Sequence, residues 1–453
     1  MDFSLERVLV LSQASILCLI IVHGLRLRPQ ANLFALLLPL GLLVMVQGQE
    51  WWVLDRFDES NTSDFVHQYQ SFDIEGARLA IWYLTASILG CGSVYCLGII
   101  SARHRSSIKK ALLVPDINIS CYIITSMWLA LGAALMFTAV GGVSQALQSP
   151  GQGTSGGIAM AVVLCSSGKF PLLYNAFFQK RRQSIDYALF GASLMLVLVN
   201  SRFLAAFMLL QVLVIYHYKI RRVSWSNIAT VGAGLFAIFA IFGLYRDFTA
   251  RASVMDTDMS AWDSVVSLRA GDESLVDWFY RLNIEGFVGL ASAVTANLAG
   301  IGPRADYGLS NLRVLTQMLP YSWRSGDVHA VAELHSWLTS IRPETGSVVP
   351  PGVEEAYAQF GFFGVLMFGM LLGWLIWRLD SACRGIGVSA FIFAMLSVHS
   401  LQLIRGTVFN TLLYGLSEGL LIIGFVILGW ATGNVRHRWL NFRHNRLEAP
   451  QVR

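Results

Sequence analysis

Apolar residues along this chain come in runs of membrane-crossing length, divided by short polar stretches rich in arginine. A helix needs about 20 apolar residues to cross a bilayer core, within a range of about 17–25. Windows of this kind fall at 8–25, 31–49, 79–100, 119–141, 158–178, 187–200, 203–218, 228–244, 360–377, 388–404 and 412–430. The pattern predicts an all-α polytopic membrane protein with about 11 transmembrane helices, each closing its backbone hydrogen bonds within itself. The sixth and seventh windows are short and are parted only by Asn200-Ser201-Arg202, a predicted tight turn. Residues 245–358, between the eighth and ninth windows, are predicted to form one large loop, and residues 1–453 a single integral membrane domain.

Composition strengthens this reading. The chain is 55% hydrophobic and 13% charged, against about 25% charged in soluble proteins. The opening MDFSLER leads into an apolar segment without a small-residue cleavage site, so that segment reads as a retained helix. The six cysteines show neither a disulfide framework nor zinc-ligand spacing.

Charge gives the expected orientation. Of 33 Lys and Arg residues, 19 fall in alternate short segments such as ARHRSSIKK and QKRRQS and in the tail from Ala431. Short basic loops stay in the cytoplasm. The C-terminus is therefore expected in the cytoplasm, with the N-terminus and the 245–358 loop outside. Every lysine outside the windows (Lys109, Lys110, Lys180, Lys219) is on the predicted inner side, and every outer basic residue is an arginine. The outer loops are not basic overall, since 245–358 holds 14 acids against 8 arginines. Arginine is the residue suited to a planar, two-pronged grip on phosphate oxygens. The inner basic residues are explained by topology, so nucleic acid is not implied.

A loop of this length is longer than a connection requires. The part SLVDWFYRLNIEGFVGLASAVTANLA, 274–299, is predicted helical and lying along the membrane interface. Asp277, Arg281 and Glu285 recur there at i, i+4 spacing, so Arg281 is either a member of that charge ladder or free to bind an anion. Further on, His329, His335, Glu333, Glu344, Glu354 and Glu355 supply candidate general bases. Trp323 and Trp337 suit either sugar rings or an interfacial aromatic belt. Asp256-x-Asp258 has the spelling of a nucleotide-sugar metal motif, but lies on the predicted outer side and reads as a solvated acidic loop. No phosphate loop, dinucleotide fingerprint or HExxH motif is present. No metal and no cofactor is expected.

Three stretches carry a family resemblance. PPGVEEAYAQFGFFGVLMFGMLLG, 350–373, resembles the segment that closes the large outer loop of oligosaccharide repeat-unit polymerases, the Wzy-type O-antigen polymerases. NSRFLAAFMLLQVLVIYHYKIRR, 200–222, resembles their Ser-Arg turn, helix and basic loop, and GLYRDF, 243–248, their arginine-bearing exit into the loop. The resemblance implies a C-type glycosyltransferase-like bundle in the bacterial inner membrane, with the N-terminus and one large loop in the periplasm. It also implies a metal-independent reaction: a growing glycan on undecaprenyl diphosphate passes to a new lipid-linked repeat unit, building O-antigen, capsule or exopolysaccharide. Partners implied are those lipid-linked substrates, the bilayer and a chain-length regulator. Cationic donors stabilise a diphosphate leaving group without a metal, and Arg202, Arg246 and Arg281 are the candidates. Glu355 is the favoured base, His335 the second, and Tyr357 and Trp337 are expected to position substrate.

Three other functions compete. An O-antigen ligase shares fold and donor. A glycolipid transporter or flippase would line its path with Arg202, and Lys169, read as the one intramembrane charge that supports it, lies close enough to the inner end of its span to snorkel. A dolichol-phosphate-type transferase would use an acid of the first outer loop, Glu50 or Asp55.

Overall fold

The computed structural model describes residues 4–26, 32–58, 72–102, 117–140, 156–178, 180–200, 202–221, 223, 230, 287–301, 352–385, 387–406 and 408–447. These residues are helical, with no strand among them. Six helices are long and apolar enough to cross a membrane: Ser4–Leu25, Phe34–Asp55, Ile74–Ser101, Ile119–Thr138, Gly352–Cys383 and Thr411–Thr432. Shorter apolar helices cover Ser184–Leu198, Leu204–Ile220, Phe287–Leu298 and Val388–Ile404. The described chain is that of an all-α, multi-pass membrane protein. Each of the other ten predicted windows overlaps a helix; of 228–244 only Thr230 is described.

In chain order the helices are α1 (Ser4–Arg26), α2 (Phe34–Leu42), a π-turn (Leu43–Gln47), α3 (Gly48–Asp58), α4 (Ile74–Ala102), α5 (Ile119–Val140) and α6 (Gly156–Cys165). A 3-10 turn (Ser166–Lys169) leads to α7 (Phe170–Phe177), α8 (Ser184–Asn200), α9 (Arg202–Ile215) and α10 (Phe287–Leu298). Then come α11 (Gly352–Cys383), α12 (Val388–Ser397), α13 (Gln402–Arg405) and α14 (Val408–Leu447). They cluster into two compact units. The first comprises Met1–Ser106, Ser224–Ser381 and His399–Leu413; the second comprises Ser107–Val223, Ala382–Val398 and Tyr414–Arg453.

In the first unit α4 and α11 touch backbone to backbone. A Cβ added at Gly369 would run into the Ser87 carbonyl, and one at Gly373 into that of Cys91. A Cβ at Gly98 of α4 would lie 2.5 Å from the Trp377 ring of α11. Gly369-x-x-x-Gly373 therefore acts as the small-residue crossing by which membrane helices gain close packing without a hydrophobic driving force.

Two features of this unit depart from the sequence reading. The described part of the predicted interfacial helix, α10, is buried in protein, with only its C-terminal end exposed. Its residues FVGLASAVTANL are apolar or small on every side, the signature of a buried helix. The loop expected to end at 358 gives way to helix already at Gly352. Glu354, Glu355 and Gln359 make that stretch look like loop, yet all three are buried against neighbouring elements. α11 then kinks at Gly361, which holds φ 61° and ψ −146°, a conformation open essentially to glycine.

In the second unit the 3-10 turn breaks the run from α6 to α7 just before Pro171, which has no N–H to continue a helical ladder. Tyr174 anchors an aromatic core with ring centroids 4.6 Å from Phe178, 5.3 Å from Phe391 and 5.8 Å from Phe425. Gly132 lets α5 lie close on α6, since a Cβ there would come 2.7 Å from the Cys165 nitrogen.

Candidate functional site

The Glu354-Glu355-x-Tyr357 segment of α11 is built into the first unit through α10. At its start, the Phe287 N–H donates to Gln49 Oε1 of α3 at 2.7 Å, satisfying a buried helix terminus. Near its end, Thr295 is bound to Asp73, which caps α4: Thr295 Oγ1 donates to Asp73 Oδ1 at 3.0 Å, and the Gly76 N–H donates to the same oxygen at 2.7 Å. At its last turn, Asn297 Nδ2 donates to the Tyr357 hydroxyl at 3.0 Å. Gly300, at φ 73°, ends the helix, and the Ile301 N–H returns to the Ala296 carbonyl at 2.8 Å in the Schellman pattern.

Tyr357 is therefore held from two sides. Its ring stacks on Tyr83 of α4 at 5.8 Å between centroids and 28° between planes. Its hydroxyl shares a bond with an exposed Asn297, which places a phenol and an amide together at the rim of the unit. Such a pair can donate to and accept from sugar hydroxyls.

Glu355, the predicted base, is 2% exposed. Its Oε2 accepts the Val408 N–H at 2.6 Å, at the start of α14. The carboxylate caps that helix, which fixes its orientation and favours its negative charge at the helix N-terminus.

The structure thus brings Glu355 and Tyr357 together on one short helical segment. Arg202 is the first residue of α9, and Ser201, at the centre of the predicted tight turn, lies outside the described residues. The Arg202 side chain lies outside the described residues, as do Arg246, Arg281, His335 and Trp337. Asn297 and Tyr83 went unnoticed in the sequence; the small-residue run leading to Asn297 was the available signal.

Two expectations about membrane-embedded charges are corrected. Lys169 does not snorkel: its side chain is 3% exposed and its Nζ lies 2.9 Å from Glu418 Oε1. Nor is it the one intramembrane charge, because Glu418 lies within the last window. Gln211 Nε2 of α9 donates to the same Glu418 oxygen and to the Met395 carbonyl, each at 2.8 Å. Glu50 is no loop acid either. It is fully buried on α3, with Gln13 Nε2 donating to its Oε1 at 3.1 Å. Asp55 is exposed and lies 3.5 Å from Arg7.

Comparison with protein-family models, curated proteins and solved structures finds no match to this chain. The functional reading accordingly rests on the residues and their surroundings.

Proposed function

We propose that the protein is a membrane glycosyltransferase that joins undecaprenyl-diphosphate-linked oligosaccharide repeat units into a surface polysaccharide. The supporting observation is the construction of the Glu354-Glu355-x-Tyr357 segment. The stretch that resembles the end of the polymerase loop is a buried, side-chain-anchored element leading into a glycine kink, not a polar linker. In this reading Glu355 takes the proton of the acceptor hydroxyl and Tyr357, with Trp337, orients the sugar. Arg202, Arg246 and Arg281 stabilise the departing diphosphate from the outer, periplasmic side, and His335 is the alternative base. A single displacement inverts the anomeric centre.

The test is reconstitution. Detergent-purified protein incubated with a synthetic diphosphate-linked repeat unit should yield two-unit and longer products without added metal. Glu355→Gln should yield none at equal protein. Products formed equally by that variant would remove Glu355 from the chemistry; no product from the wild type with the substrate intact would refute the function.

The transporter reading keeps one observation in its favour, the Lys169–Glu418 pair beside a break between α6 and α7. Broken helices carrying paired charges are a transporter device. Movement of a labelled diphosphate-linked unit across proteoliposomes, without elongation, would decide for it.

A further inference from the structure

A second buried polar cluster lies in the first unit, separate from Glu355 and Tyr357. Three oxygens converge on one nitrogen there. Gln13 Nε2 has Glu50 Oε1 at 3.1 Å, Thr85 Oγ1 at 3.0 Å and the Ile81 carbonyl at 3.4 Å. An amide nitrogen has two hydrogens for these three acceptors. The other oxygen of the same amide accepts Gln47 Nε2 at 3.1 Å. Gln13 and Glu50 are both 0% exposed.

The cluster is short of positive charge. Glu50 Oε2 has no hydrogen-bond partner, and neither does Gln47 Oε1. The nearby arginines are committed to other acids: Arg78 Nε lies 3.1 Å from Glu6, and Arg7 lies 3.5 Å from Asp55. Among the described residues Glu50 makes no ion pair. A buried carboxylate without a counter-charge is strongly disfavoured. The π-turn Leu43–Gln47 precedes Glu50 by one helical turn, and such turns re-aim side chains and recur at binding sites. Gln47 also borders a small cavity walled by Val46, Leu84, Ser87 and Phe368, which gives its amide room to rotate.

We propose that Glu50, Thr85, the Ile81 carbonyl and Gln13 form a binding site for one small monovalent cation of the sodium class. Half a turn of the Gln13 amide replaces its nitrogen with its oxygen. Three oxygens, one of them anionic, then face the Gln13 oxygen, and an ion seated among the four has the donor set that hard cations take. The same half-turn, made with Gln47, gives the Gln47 carbonyl a donor in the Gln13 amide. One carboxylate balances one positive charge, so a monovalent ion leaves the buried cluster neutral, whereas a divalent ion would not. Without the ion, the Gln13 nitrogen faces these oxygens instead.

The experiment uses the full chain purified in detergent and radiolabelled sodium. The wild type should bind about one sodium per chain, displaced by unlabelled sodium but not by choline. Glu50→Gln, which keeps shape and removes charge, should abolish binding, and Thr85→Val should weaken it by about tenfold or more. Sodium should raise the melting temperature of the wild type saturably over choline at equal ionic strength, as mass action requires; in Glu50→Gln it should not. Should Glu50→Gln fail to fold, as judged by its melting curve in choline, Thr85→Val carries the decision. Absence of displaceable sodium from the wild type, or undiminished binding in the variants, would overturn the site. Neither result depends on the glycosyltransferase reading.

Discussion

Replacing Lys169 by Met leaves Glu418 buried without its cation, and replacing Glu418 by Leu leaves Lys169 without its anion. Breaking a buried pair from one side costs about 3–5 kcal/mol, because the survivor stays desolvated and uncompensated. The structure ranks the two variants. In Lys169→Met, Glu418 keeps the Gln211 amide at 2.8 Å, and a hydrogen bond to a charged group contributes about 1.5–3 kcal/mol; the loss should lie near the lower limit. In Glu418→Leu, Lys169 keeps the Phe170 ring, 5.8 Å from its Nζ to the centroid, close to the limit of about 6 Å at which a cation–ring contact counts. That loss should approach the upper limit. The double variant removes both charges and fills the space with apolar atoms, so it should lie within about 1 kcal/mol of the wild type or above it. The assay is reversible unfolding in mixed micelles, followed by tryptophan fluorescence, for all four proteins. The coupling, the sum of the two single losses less that of the double variant, should then be about 7 kcal/mol, above the range usual for contacting residues because each single variant leaves a buried charge uncompensated. A double variant as unstable as the sum of the singles, or single losses below about 1 kcal/mol, would show that the pair is not the buried contact described here.

Gly369→Leu and Gly373→Leu should each prevent α4 and α11 from meeting, since the added side chain enters the backbone at Ser87 or Cys91; membrane insertion with loss of detergent-stable protein is the expected readout. Tyr357→Phe keeps the ring against Tyr83 but deletes the bond from Asn297. It should cost about 0.5–1.5 kcal/mol while reducing polymer far more than protein level; unchanged polymer would confine Tyr357 to packing. Glu355→Gln retains an oxygen for the Val408 N–H and should stay within about 1 kcal/mol of the wild type. Glu355→Ala should lose about 0.5–2 kcal/mol as a lost helix cap. Both should abolish polymer if the carboxylate acts as base, which separates capping from chemistry.

The helices were legible because lipid imposes a simple code, in which long apolar runs must be helical. The kink at Gly361 and the Gly369-x-x-x-Gly373 crossing were spelled in the same stretch that suggested the family, although spelling alone does not say which helix they meet. The partners of buried polar residues were not legible. Lys169 and Glu418 are far apart in sequence, and an apolar window absorbs one acid with little effect on its mean. α10 departs from the expected interfacial helix because the charged run before it, Asp277 to Glu285, suggests a surface that the small and apolar residues after Phe287 do not share. Glu354 and Glu355 look like loop residues for the same reason: hydropathy assumes that polar side chains face water, and these are buried.

The most direct test of the central claim is the glycan profile of a host strain lacking this gene, resolved as a ladder of lipid-linked and surface polysaccharide. The account predicts that long chains disappear while a single repeat unit still reaches its final acceptor at the surface. Long chains that persist on undecaprenyl diphosphate and never reach that acceptor would contradict it and identify a ligase.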